Sequence, residues 1–483
     1  MVYSLIVVLI VAAIITLLKI FKKKIPNRWL SKGIKAASIV LFSIAVFRSF
    51  LNDDFIWVIN GGTYSDILYQ KSDIVQSLLR WGHYLACVVL PCACFFEKRI
   101  FKNVAVYFCF FVAVIELFFF EQTLTYFITD SGRAIYLPPI IRSLEYMVEL
   151  ILVLVIPLIL RFIIGHKFDV KSKQEWSYFI GLLPLMLITV VPVYLFQSLF
   201  GFTDIKMCPL SVENLAWIIL IFVIIAVLHF KLRFKDYETR YSTLVFISLL
   251  LFLHYNSIYL MDFVASRLPF QLCNLGAYLI LIALLIKKQA FFNFIFLANV
   301  PGALVALVVV DVSQGLLSFW NIHYYIEHTW VFILPLLAVS LKIFEKPKFS
   351  SFKHFFIGFT VYFVFCATAG IILNCFFYEP LDPFFNQVNY FYIFDAKIIE
   401  VAPFLAFTRN FEVVWSDYAF YPMYMILMYV LFTMLCFIFN YVYRVLCKVA
   451  DDHFNLRKIK IQMRIDSGYY EKKNKPIPQM DYE

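Results

Sequence analysis

Apolar runs of roughly 18 or more residues, the length that crosses a hydrocarbon core about 30 Å thick, recur along this chain from end to end. Inside that core the backbone has no water to bond, so each crossing segment must satisfy its own N–H and C=O groups. Helices do this, and the expected fold class is all-α: a polytopic transmembrane helical bundle. Hydrophobic residues at 63%, charged residues at 15% and only 14 glycines in 483 exclude a soluble globular protein. A net charge of +10 would suggest nucleic acid in a soluble chain. Here the basic residues gather in particular loops, so topology accounts for them. The partners expected are membrane phospholipids, with no nucleic acid.

Residues 1–18 form an apolar helix followed by Lys19, Lys22, Lys23, Lys24, Arg28, Lys32 and Lys35 without one acid. A cleaved signal peptide has its charges in front, so this segment reads as an uncleaved anchor with its N-terminus outside. Twelve more spans follow at 35–51, 76–96, 103–120, 138–160, 177–200, 212–230, 241–262, 268–286, 290–310, 322–341, 354–377 and 421–446. Alternate loops are basic, as at Lys98-Arg99, Lys231 with Arg233, and Lys287-Lys288. The loops between them carry Asp53-Asp54, Glu121, Asp204 and the long 379–418 segment. The positive-inside rule then gives about 13 spans in a cell membrane, N-terminus outside and C-terminus cytoplasmic.

The two halves align with one another. The run Glu97-Lys98-Arg99-Ile100-Phe101-Lys102 corresponds to Lys287-Lys288-Gln289-Ala290-Phe291, and Tyr178-Phe179-Ile180-Gly181 to Phe355-Phe356-Ile357-Gly358. This predicts two tandem six-helix repeats after the anchor. The domains expected are an anchor and basic loop at 1–34, a degenerate unit at 35–235, a second unit at 236–450 and a basic tail at 451–483. In that register His83 falls opposite Cys273, and Glu149 near His328.

Two places bring chemistry to the outer ends of spans. In Arg267-Leu268-Pro269-Phe270-Gln271-Leu272-Cys273-Asn274-Leu275 a proline suited to a first helical turn precedes a cysteine flanked by amides. The helix is expected to start near Leu268, with Cys273 one turn inside. Farther on, Tyr324-Tyr325-Ile326-Glu327-His328 opens another span and sets a histidine at similar depth. A thiol is mostly protonated at neutral pH, and a nearby imidazole can take its proton and return it to a leaving group. Glu327 lies about 100° around the helix from His328 and is expected at the membrane interface. The ten cysteines show no metal-ligand spacing, so neither a metal nor a cofactor is expected.

The stretch Leu268-Pro269-Phe270-Gln271-Leu272-Cys273 resembles the LPLHLC signature of the YwaF-like family of integral membrane proteins, with glutamine where the family usually has histidine. Pro301-Gly302, Asp311, Ile326-Glu327-His328, Asn389-Tyr390 and Pro422-Met423-Tyr424 follow in the family's order. The family is similar to a vertebrate enzyme that moves fatty acyl chains between phospholipids with a cysteine and a histidine. The resemblance implies Cys273 and His328 as catalytic residues. Gln271, Asn274, Asn299, Asp311, Asn389 and Tyr390 would contact substrate.

Two functions of different classes follow. One is an acyltransferase or lipid hydrolase, working through a cysteine thioester assisted by histidine. The other is a non-enzymatic transporter or lipid-handling scaffold, since two related halves are a common transporter plan and Glu116, Arg142, Glu145 and Glu149 are ionisable groups inside spans. The topology is open to direct test. A reporter fused after Lys448 is expected in the cytoplasm and one inserted near Asn389 outside; a C-terminal reporter found outside refutes the count.

Overall fold

The computed structural model describes residues 2–50, 71–96, 98–129, 139–169, 171–189, 208–256, 264–310, 319–379, 384–394, 398–415 and 418–467. Asp311 lies outside the described residues, as does the side chain of Arg142. The chain is an all-α, multi-pass membrane protein, and a helix lies over each of the thirteen expected stretches. Nine are long and apolar enough to span, and apolar Trp81–Phe95 and Leu272–Ile286 are shorter, among the described residues.

The first bundle holds α1 (Val2–Phe21), α2 (Asn27–Phe50) and α3 (Lys71–Phe95). Next come α4 (Arg99–Asn103), continuing through a π-helical turn into α5 (Phe110–Thr129), then α6 (Pro139–Leu158) and α7 (Lys173–Thr189). The second bundle holds α8 (Val212–Leu232), α9 (Tyr237–Asn256), α10 (Leu272–Ile286), α11 (Gln289–Val308), α12 (Phe319–Ser340) and α13 (Phe352–Ile372). A loop segment with the short α14 (Ile398–Val401) and a β-hairpin, β1 (Val413–Trp415) and β2 (Tyr418–Phe420), leads into α15 (Pro422–Asp466).

The helices sort by how much of their surface faces protein. In α1 only Val7, Val11 and Ile15 are buried, a stripe at i, i+4 and i+8, while its other apolar faces stay exposed where lipid covers them. Helix α8 does the same through Asn214, Ile221 and Leu228. By contrast α11 buries most of its length, from Phe292 through Leu307. It is the central post of the second bundle.

The packing repeats. Helix α1 lies on α5 and α6 as α8 lies on α11 and α12. Helix α2 packs on α3 and α6 as α9 packs on α10 and α12, and α4 meets α7 as α11 meets α13. The first helix is thus a member of the first bundle, and its counterpart by contacts is α8. Side chains repeat as well. Arg99 and Asn103, one turn apart on α4, bond Glu175 at the start of α7 at 2.5 and 2.7 Å. On α11, Gln289 bonds the Glu345 carbonyl at 3.1 Å, and Asn293 bonds Ser351 just ahead of α13 at 3.1 Å and His354 in its first turn at 3.3 Å. The neighbouring Arg99 guanidinium holds the Glu175 carboxyl below the usual carboxylate range.

Two glycines permit close approaches at corresponding helices of the bundles. A Cβ on Gly82 of α3 would lie 2.9 Å from both Val112 methyls of α5, and one on Gly276 of α10 would lie 2.7 Å from the Asn299 amide nitrogen of α11. Both glycines stand in a Gly-x-Tyr-Leu run, Gly82-His83-Tyr84-Leu85 and Gly276-Ala277-Tyr278-Leu279. Matching these glycines shifts the alignment by four residues and sets Leu79, not His83, opposite Cys273. Gly82→Leu should destabilise the first bundle by about 1–3 kcal/mol through overpacking, read as a lower melting temperature in detergent. Gly181→Leu, where a Cβ meets nothing within 4 Å, should leave that temperature nearly unchanged.

Candidate functional site

The segment before α10 is irregular at a place where lipid offers no hydrogen bonds. Its carbonyls are satisfied by protein side chains: Tyr390 Oη donates to Ala265 O at 2.5 Å, and Tyr362 Oη to Phe270 O at 2.8 Å. Cys366 Sγ adds a longer contact to the same Phe270 oxygen at 3.3 Å. Non-helical backbone at membrane depth persists only where protein covers it in this way. The helix therefore begins at Leu272, not near the expected Leu268, and Gln271 is its N-cap residue with extended φ and ψ.

That shift moves Cys273 from one turn inside the helix into its first turn. The first amides of a helix have no intrahelical acceptor and carry the positive end of the macrodipole. The half-buried Cys273 thiol accordingly sits beside N–H groups that have no acceptor within the helix, and its Sγ contacts Asn274 Oδ1 at 3.2 Å.

His328 lies in α12, 4% exposed. Its Nδ1 is 2.7 Å from Tyr324 O. A main-chain carbonyl only accepts, so Nδ1 carries the proton, and in the neutral ring Nε2 is left as the basic nitrogen. A Cβ on Gly276 would lie 3.1 Å from Val331 Cγ1, so α10 and α12 touch there. Cys273 and His328 stand one turn nearer the start of their helices, and the hydrogen bonds of each run to its own helix, to Asn274 and to Tyr324.

Asn299 projects from α11 into the same junction. It is 1% exposed, and neither its amide nitrogen nor its oxygen has a hydrogen-bond partner among the described residues. Glu327, expected at the interface, is instead 3% exposed, and one of its carboxylate oxygens is unpartnered among the described residues. It faces inward because α12 is packed on several sides, by α8, α9, α10 and α11. Its other oxygen lies 3.9 Å from His323 Nδ1. Ring stacking of His323 on His254 extends this polar group toward α9.

Gln271, Asn389 and Tyr390 form a clamp. Gln271 donates to Asn389 O and accepts from Phe391 N, both at 2.8 Å, so both ends of its amide are engaged. The turn it holds has Phe391 and Tyr392 at positive φ, each 55°. Bulky residues there cost of order 1 kcal/mol or more, and surrounding contacts must hold them. Asn389 Oδ1 accepts from Phe394 N at 2.9 Å, and Tyr424 Oη donates to Tyr392 O at 2.9 Å.

Residues 209–439 match the model of the TMEM164 family. The match covers just under half of the chain, begins at α8 and includes every residue of this site. This is a membrane protein family, as the resemblance over this region implies, and the match does not give the YwaF-like name. Comparison with curated proteins and with solved structures finds no match.

Sequence reasoning passed over the inward placement of Glu327, Gly276 and His323. The signal available was Glu327 two turns before Pro335, a spacing repeated by Glu149 and Pro157. Removing the clamp is a direct test of the geometry. Gln271→Ala should cost about 1–3 kcal/mol locally by leaving buried main-chain groups unpaired, read as faster amide hydrogen exchange over 389–394.

Proposed function

We propose that the second bundle, α8 to α15, is a membrane-embedded acyltransferase that moves a fatty acyl chain between lipids through Cys273 and His328. The observation that carries this reading is the half-buried thiol in the first turn of α10, beside a helix that offers a basic imidazole nitrogen. His328 Nε2 accepts the Cys273 proton while Sγ attacks the ester carbonyl carbon. The amides at the start of α10 and the side chain of Asn299 can donate to the oxyanion that forms. As the tetrahedral adduct collapses, the ester C–O bond breaks and the leaving alkoxide takes the proton from the imidazolium. A thioester remains on Cys273. A hydroxyl of a second lipid then attacks it, His328 takes the incoming proton, and the thiolate leaves to be reprotonated.

Exclusion of water favours transfer over hydrolysis, which suits a site in the bilayer. Gln271, Asn389 and Tyr390 act in this scheme by holding the irregular segment, and Asn274 by its contact to the thiol. Asp311 stays a candidate contact from the sequence. The outer-face placement of the site follows from the loop charges. A lipid-handling or transport role is the second reading, favoured by the repeated packing of the two bundles and the buried carboxylates of the first.

Labelled-lipid capture on purified protein separates the two. Cys273→Ala should abolish the acyl adduct with the protein still folded, and His328→Ala should reduce the rate comparably, since groups acting as one unit fail together. Asn299→Ala should slow transfer about 100-fold or more. An adduct that survives in Cys273→Ala ends the enzyme reading.

A further inference from the structure

The core of the first bundle holds a cluster that the proposed chemistry does not use. His83 and Cys87 stand one turn apart on α3, and Glu149 reaches them from α6. Glu149 Oε1 is 3.0 Å from His83 Nε2 and 3.1 Å from Cys87 Sγ. One ligand atom from each of the three lies within 4.8 Å of the others, and all three residues are buried at 0% exposure. Behind them, His83 Nδ1 meets Glu116 Oε2 of α5 at 2.5 Å, and Tyr146 Oη of α6 donates to Glu116 Oε1 at 2.6 Å.

We infer that His83, Cys87 and Glu149 bind a divalent transition-metal ion of the zinc class inside the first bundle, with Glu116 orienting His83.

Three features support a metal over a buried ion pair. The donor set is one imidazole, one thiol and one carboxylate, the mixture that zinc and its neighbours take. The imidazole is held from behind by a carboxylate on its other nitrogen, the arrangement that fixes the tautomer and orientation of metal-bound histidines. And Nε2, 3.0 Å from Glu149, has no hydrogen-bond partner among the described residues. Tetrahedral coordination at zinc bond lengths sets ligand atoms roughly 3.3–3.6 Å apart, so Glu149 needs to move from His83 and Cys87 by only about half an ångström. Three protein ligands leave a fourth position for water or a further group.

Sequence spacing did not reveal this set. His83 and Cys87 alone read as one turn of an apolar helix, and Glu149 arrives from another helix.

The full chain, purified in detergent without chelator, should carry about one zinc per chain by elemental analysis. X-ray absorption should show one sulfur near 2.3 Å with nitrogen and oxygen near 2.0–2.2 Å, roughly the zinc bond lengths. After chelator treatment, Co2+ should restore a thiolate-to-metal charge-transfer band. Cys87→Ser should lose that band, and Glu149→Gln should lose most of the bound metal. Glu116→Gln should weaken binding about 10–100-fold. Cys92→Ser, a buried thiol on the same helix outside the cluster, should behave as the parent. Well-folded parent protein that carries no metal and gives no Co2+ band overturns the inference. So does a sulfur-free absorption spectrum, or a charge-transfer band that survives in Cys87→Ser. Absorption on the parent keeps the test decisive should a variant fail to fold. The acyl adduct at Cys273 is measured separately, so either result stands without the other.

Discussion

The site of the second bundle depends on how the backbone of 264–271 is satisfied away from water. A continuous helix from Leu268 would have needed nothing from its neighbours. The chain breaks there instead, and Tyr362 and Tyr390 supply the hydrogen bonds that the helix would have made. Gln271 then joins the break to the 389–392 turn, whose left-handed residues need that support in return. The outcome is a helix start, with its first amides and positive potential, set deep in protein beside Cys273. Each part rests on another: the helix start on the tyrosines, the turn on the glutamine, and the thiol's surroundings on both.

The two bundles solve one packing problem with different chemistry. In each, a glycine on the third helix lets a neighbour approach, and a glutamate two turns before an internal proline is buried in the middle. In the first bundle that glutamate meets His83 and Cys87. In the second it lies 3.9 Å from His323. A carboxylate in a bilayer core is costly without partners, so its burial at corresponding places marks the two polar centres of the molecule. The counterpart of α8 is α1, and this makes the first helix part of the architecture and more than an attachment to it. The match to the TMEM164 family beginning at residue 209 falls at the same division.

Length, apolarity and loop charge were enough to read an all-α multi-pass bundle and to lay helices over the right stretches, because bilayer thickness and backbone satisfaction leave few choices. Local residue types also singled out Cys273 and His328, since a thiol and an imidazole stand out against apolar spans. What the sequence could not carry was anything decided between helices. The helix start at Leu272 depends on tyrosines about a hundred residues away, the inward turn of Glu327 on the helices around α12, and the His83–Cys87–Glu149 cluster on the approach of α3 and α6. In hydrocarbon every helix can form alone, and which faces then meet is settled by packing and by the need to pair each buried polar group. Those contacts exist only once the bundle has closed.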